Sequence, residues 1–182
     1  MLVSLVGGFW IFSSLGGISY GIIYALIWID KIIFTIFIKI HGYFGIDLIY
    51  IPMVLVGIIE GPLGGFIFGF LIMPILTGFL NLIAWQETPP LEVKYPPFLP
   101  SPDHLIYGAF SALAGILWSY GIEFFWIVIA CVLFKSMLMS MVDVIFRNDY
   151  THILGNISNV AYNAALAYFF KDFFMHLINM SL

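Results

Sequence analysis

Residues 48–85 carry a single charge, Glu60, in an otherwise apolar run nearly twice as long as one membrane crossing, which needs about twenty residues. Such a run folds as two helices, as one long tilted helix, or as a crossing plus a re-entrant piece. Within it Gly57, Gly61, Gly65 and Gly69 recur every four residues. On one helix they would form a strip free of side chains against which another backbone could lie closely. Pro62 interrupts that strip. It has no N–H to donate, and in a straight helix its ring would collide with the carbonyl of Ile58, which predicts a kink or a break near Gly61. The natural division is residues 48–59 and 63–85, with Gly61 closing one helix and Pro62 opening the next. A carboxylate beside a break in an apolar run needs polar partners or water, so Glu60 is a candidate ligand-binding residue.

The rest of the chain points the same way. It is 63% hydrophobic and 9% charged over 182 residues, with a mean hydropathy of +1.09; a soluble domain carries about a quarter charged residues. Apolar runs of about twenty residues indicate helices, since barrel strands would alternate over about ten. The expected fold is all-α, a polytopic transmembrane helical bundle of about five to six spans with a kinked or broken Gly/Pro-rich helix pair. It would form one integral membrane domain over residues 1–182, multi-pass in the cell membrane, with the lipid bilayer as its first partner. Six Lys+Arg against ten Asp+Glu, with no basic run, exclude the clustered cations that nucleic-acid binding needs. Cys131 stands alone in an apolar run and reads as a small buried or lipid-facing side chain, so neither a disulfide framework nor a cysteine metal motif is available.

In chain order, residues 2–29 are uncharged and read as an uncleaved first span with Trp10 and Trp28 near its ends. Gly17 with Gly21, and Ser4 with Gly8, are small-xxx-small pairs that allow a neighbouring helix to approach. Asp30 and Lys31 interrupt, and residues 32–38 are too short to cross alone, so they form an interfacial helix or part of a short second span. Lys31 and Lys39 make this end the more basic one and, by the positive-inside tendency, cytoplasmic. Residues 86–103 hold six prolines and form an extramembranous, extended loop, a stiff connector, a lid or a docking strap. Ser101, Pro102 and Asp103 read as the cap, first position and first-turn acid of a helix. Spans over residues 104–120 and 124–142 follow, joined by a tight turn at Gly121. Lys135 lies inside the second, where it must snorkel or find a partner such as Glu60 or Glu123. Asp143 and Arg147 are spaced for an ion pair on one helix face. In the last span, residues 153–170, Asn156, Asn159 and Asn163 share one face and must meet protein, water or a ligand.

Catalytic motifs are absent: no His-Glu-x-x-His, Walker loop, Gly-x-Ser-x-Gly or dinucleotide fingerprint occurs. The expectation is a protein that is not an enzyme, and no cofactor is assigned. A membrane enzyme would have to draw metal ligands from Asp103, His104, Asp143, Asp149 and His152, whose spacing is not diagnostic. Trp118, with Tyr120, Trp126 and Tyr162, could instead line an organic ligand.

The run from Ile51 to Gly69, with its proline-led apolar stretch followed by Gly-x-x-x-Gly-Pro-x-x-Gly and a further glycine, resembles a passage in the membrane substrate-binding (S) components of energy-coupling-factor transporters. The resemblance implies a helical bundle that captures a micronutrient and docks on a transmembrane coupling protein driven by two ATPases. For the Ala-x-x-x-Ala docking motif of many S components this chain offers only Ser4/Gly8 and Gly17/Gly21, and Glu60 stands where an apolar residue is usual. Two functions follow as expectations. The first is a small-molecule capture component of a transporter, with Glu60, Asn156, Asn159, Asn163 and Trp118 as ligand contacts. The second is a non-catalytic accessory subunit of a larger membrane complex, docking other membrane subunits through Gly17, Gly21, Gly57, Gly61, Gly65 and Gly69.

Overall fold

Three glycines with positive φ fold this chain back on itself: Gly17 (77°), Gly61 (73°) and Gly121 (74°). A side chain in that region meets its own backbone, so each position favours glycine. The computed structural model describes residues 2–37, 47–85, 99–100, 102–142, 144–145 and 152–182, excepting the side chains of 34–37, 81–85, 102 and 152–154. Every regular element among them is a helix.

Helices α1 (Leu2–Gly16) and α2 (Ile18–Trp28) are separated by Gly17 alone. They lie antiparallel. A side chain at Gly21 would run into Ser13 and Phe9 of α1. The Tyr24 hydroxyl donates to the Ser4 carbonyl at 2.8 Å, and the Trp28 indole N–H donates to Ser4 Oγ at 3.1 Å. The uncharged run 2–29 is therefore a helical hairpin and not a single span. Hydropathy does not register a reversal that one glycine dihedral produces. Trp28, expected at an interface, is buried, whereas Trp10 is exposed. Asp30 and Lys31 do not end the helix either, since α2 runs on as a wider π-helical stretch, Ile29–Phe37.

Helix α3 (Tyr50–Ile67) breaks at Gly61, and Pro62 opens its second arm. At that first position the missing N–H would have had no partner anyway. A Cβ on Gly65 would lie 2.8 Å from Gly57 Cα, so the two arms face each other closely. Gly57, Gly61, Gly65 and Gly69 thus do not make one strip along one helix. Gly61 is the turn, Gly57 and Gly65 face each other and the Ser111 carbonyl of α5, and Gly69 lies against the Tyr107 carbonyl. The second arm continues through a π-helical turn, Phe68–Ile72, into α4 (Met73–Trp85).

Helix α5 (Pro102–Ser119) begins with Pro102 and Asp103 as the sequence predicts, and it packs along both arms of α3. It ends in a Schellman turn, in which the Gly121 N–H reaches the Trp118 carbonyl at 2.9 Å and the Ile122 N–H reaches the Leu117 carbonyl at 3.2 Å. Helices α6 (Phe124–Val142) and α7 (His152–Phe169) return antiparallel. The short α8 (Lys171–Asn179) closes the glycine-turn end, where the Ser19 hydroxyl donates to the Leu177 carbonyl at 3.2 Å and Phe174 meets Phe124 with ring centroids 5.5 Å apart. The start of α3 lies at the opposite end.

The core runs through Tyr50, Met53, Phe110, Ala114, Val128 and Cys131, all fully buried. Large apolar side chains also cover the outside: Val3, Leu63, Trp126 and Met137 are all more than half exposed. Among the described residues, two stretches, Tyr50–Leu80 and α6, are long and apolar enough to cross a membrane. Because the first turns back at Gly61, its longer arm is residues 62–80, about 28 Å at 1.5 Å per residue.

A candidate polar site at the start of α3

A helix start leaves its first N–H groups without intrahelical partners, and inside an apolar body each unpaired group is costly. Helix α3 starts buried, with Leu48, Ile49 and Tyr50 nearly or wholly out of contact with solvent. Its own N-terminal residue, Ile49, has no side chain that can cap. Two other helices hold the backbone that leads into it. Asp30 Oδ1, from the π-helical end of α2, accepts the Leu48 N–H at 2.6 Å. Asn159 Oδ1, from α7, accepts the Asp47 N–H at 3.1 Å, and Asn163 Nδ2 donates to the Asp47 carbonyl at 3.1 Å. The two amides, one helical turn apart, grip both polar groups of residue 47.

The grip fixes the Asp47 carboxylate, whose Oδ2 accepts the Tyr50 hydroxyl at 2.9 Å. The Lys135 ammonium, from α6, lies 4.8 Å above the Tyr50 ring centroid, a cation–π distance. Lys31 Nζ pairs with Asp30 Oδ2 at 3.1 Å. Two acids and two lysines therefore converge with two amides and a phenol, and the formal charges balance, as burial requires. Tyr107 flanks the group, its ring centroid 6.5 Å from that of Tyr50.

Two buried acceptors here are left over. Asn163 Nδ2 also faces the Asn159 carbonyl at 3.0 Å and Asn159 Oδ1 at 2.8 Å, so three acceptors around the nitrogen fix the orientation of the amide. Its Oδ1 is buried and receives no hydrogen bond, and the same holds for Ser136 Oγ on α6. A buried acceptor without a donor loses its water interaction and gains nothing in exchange.

Of the expected ligand contacts, Asn159 and Asn163 belong to this site. Asn156 sits one turn away and donates to Ser140 Oγ at 2.9 Å, joining α7 to α6. Glu60 does not join it: the residue is exposed beside the Gly61 turn, 13 residues beyond Asp47 and so about 20 Å along the first arm. Trp118 is also at the glycine-turn end, beside the α5–α6 connection. Glu123 does not pair with Lys135, its ammonium partner being Lys171 at 3.5 Å. The six interface candidates are used within the chain, Gly17 and Gly61 as turns and Gly21, Gly57, Gly65 and Gly69 as close helix contacts.

Asp103 and His104 begin α5, and the His104 ring meets Tyr107 edge-on at 5.6 Å. Asp143, Arg147 and Asp149 lie outside the described residues, as do residues 86–98 of the proline-rich loop and the side chain of His152. Among the described residues, no three His, Cys, Asp or Glu side chains come together as a metal set. Sequence reasoning missed Asp30, Asp47 and Tyr50, because acids at the edges of apolar runs read as helix-end punctuation. The available signal was that each stands without other polar neighbours except Lys31. No protein-family model, curated protein or solved structure matches the chain.

Proposed function

We propose that this chain is a multi-pass membrane protein that captures a small polar solute at the start of α3, as the substrate-binding component of a transporter. Its polarity is reversed relative to a soluble domain. Apolar side chains cover its outside, whereas Asp30, Asp47, Lys135, Asn159 and Asn163 are buried. Ionisable groups inside an apolar helical body are expensive and mark solute or ion sites. The observation that carries the reading is the unmatched acceptor Asn163 Oδ1 within this centre. A solute presenting an N–H or O–H donor would satisfy it, and the Asp47 carboxylate would offer a further acceptor.

The test is gentle extraction of tagged protein, followed by mass spectrometry of retained small molecules, for the wild type and Asn163→Leu. The expected result is a small polar molecule retained by the wild type and lost from the variant, with both proteins folded by circular dichroism. A wild type that retains no such molecule, from cells and after incubation with a vitamin mixture, overturns the reading.

One further observation favours the accessory-subunit reading. Helix α1 packs chiefly on α2 and keeps Val3, Val6, Trp10 and Leu15 exposed, a face that lipid or a partner helix would cover. Co-purification of larger membrane subunits with no solute in the same experiment supports that alternative.

A further inference from the structure

The glycine-turn end carries a second feature, remote from the polar centre. A groove of about 280 Å³ lies between the α5–α6 connection and α8, lined by Trp118, Ile122, Phe124 and Met175. Glu123 and Lys171 also line it and are both substantially exposed, with Nζ and Oε2 3.5 Å apart. The surroundings are aromatic. Tyr120, Trp126, Tyr168, Phe169 and Phe170 are all more than half exposed, and Phe125 meets both Trp126 and Tyr168 edge to face, at 5.1 and 6.1 Å between centroids. Exposed aromatic rings gather at the headgroup level of a bilayer, where one part of the ring is in hydrocarbon and the other is wet. Helix α8 fits the same level, burying Phe174, Leu177 and Ile178 on one face while it carries Lys171, Asp172 and His176.

We propose that this groove binds one phospholipid with a zwitterionic, primary-amine headgroup, a phosphatidylethanolamine. The inference rests on the membrane reading above. Lys171 and Glu123 form a dipole at the rim, and a phosphoethanolamine group laid antiparallel to it sets phosphate against the ammonium and amine against the carboxylate. Both opposite-charge contacts then form without separating the existing pair. The amine N–H groups donate to Glu123, which a quaternary choline cannot do, and an anionic headgroup would face the carboxylate with no cation to offer. The apolar walls of Trp118, Phe124 and Met175 receive the upper acyl chain.

The experiment uses the full chain in detergent, with phosphatidylethanolamine, phosphatidylcholine and phosphatidylglycerol of identical acyl chains added singly, and counts bound lipid by native mass spectrometry. One phosphatidylethanolamine is expected per chain, preferred about fivefold over the other two, the factor that a surface charge contact supplies. Glu123→Gln should move the preference to phosphatidylglycerol, because Lys171 is then unopposed. Lys171→Gln should lose the preference for phosphatidylethanolamine, and Lys171→Arg should keep it. Glycerophosphoethanolamine, the headgroup without chains, should not compete. Equal binding of the three lipids, a preference unmoved by Glu123→Gln, or competition by the chainless headgroup overturns the proposal. Carbonate washing of native membranes separates the two levels. If the wild type stays in the membrane and shows no headgroup preference, the lipid site alone fails; if it is washed out, the membrane reading fails with it.

Discussion

Gly65→Ala tests the hairpin at the centre of this fold. A methyl group at residue 65 would lie 2.8 Å from Gly57 Cα, 2.9 Å from Ser111 O and 3.0 Å from Ser111 C. Carbon atoms rest about 3.5–4.0 Å apart, so the joint must open by about 0.7 Å toward two backbones at once. Neither neighbour is the end of a flexible side chain that could swing aside. Overpacking of this kind costs about 1–3 kcal/mol, against which alanine regains about 0.5–1 kcal/mol of helix propensity. The net expectation is a loss of about 1–2 kcal/mol. Gly7→Ala on α1 is the internal control, because nothing lies within 4 Å of its added Cβ. There only propensity acts, for a gain of up to about 1 kcal/mol. The two variants should therefore differ by about 2–3 kcal/mol with opposite signs. Reversible unfolding by sodium dodecyl sulfate in mixed micelles, followed by tryptophan fluorescence, measures both. A Gly65→Ala protein as stable as Gly7→Ala would mean that the arms of α3 are not in contact and would refute the hairpin.

Two further outcomes follow from the polar centre. Asp30→Ala leaves the Leu48 N–H and the Lys31 ammonium without that carboxylate, and the same unfolding assay should show a loss of about 3 kcal/mol, the low end for a buried pair because Lys31 keeps 20% of its side chain exposed. Asp30→Asn retains an acceptor for Leu48 and should recover about 1 kcal/mol of that loss, the net value of one hydrogen bond. Glu60→Gln, on an exposed side chain beside the turn, should change stability by less than about 0.5 kcal/mol and leave solute retention unchanged. Loss of retained solute in that variant would return Glu60 to the binding site.

The helical class was legible because apolar runs of this length leave few alternatives, and the break at Gly61 was legible because proline forbids an uninterrupted helix there. The hairpin at Gly17 was not. Gly16-Gly17 carries no proline and no charge, and a run that is apolar throughout looks the same whether it continues or reverses. The glycine periodicity misled for a related reason. A four-residue spacing describes neighbours on one straight helix, but the same spacing placed symmetrically about a reversal sets residue 57 opposite residue 65. Ser13 and Gly21 stand in that same relation about Gly17, so both hairpins share one register of close contact.

The polar site shows the limit in a different form. Asn159 and Asn163 were found because their spacing places them on one helix face, a property that a single element carries in its own sequence. What that face meets is set by a contact across more than a hundred residues, from the amides of α7 to the backbone of Asp47. Asp30 repeats the arrangement, accepting from another helix the Leu48 N–H just ahead of α3. A helix that begins within an apolar body and lacks a local cap must borrow acceptors from elsewhere, and those acceptors are themselves polar groups inside the body. Leu48-Ile49-Tyr50, an uncapped apolar start directly after Asp47, therefore implied that distant polar side chains converge on it. Glu60 drew attention because it was the single charge in a long run. Yet a charge beside a helix reversal reaches the outside easily, and the structure exposes it there. The acids at the margins of apolar runs, Asp30 and Asp47, were the ones with no such exit.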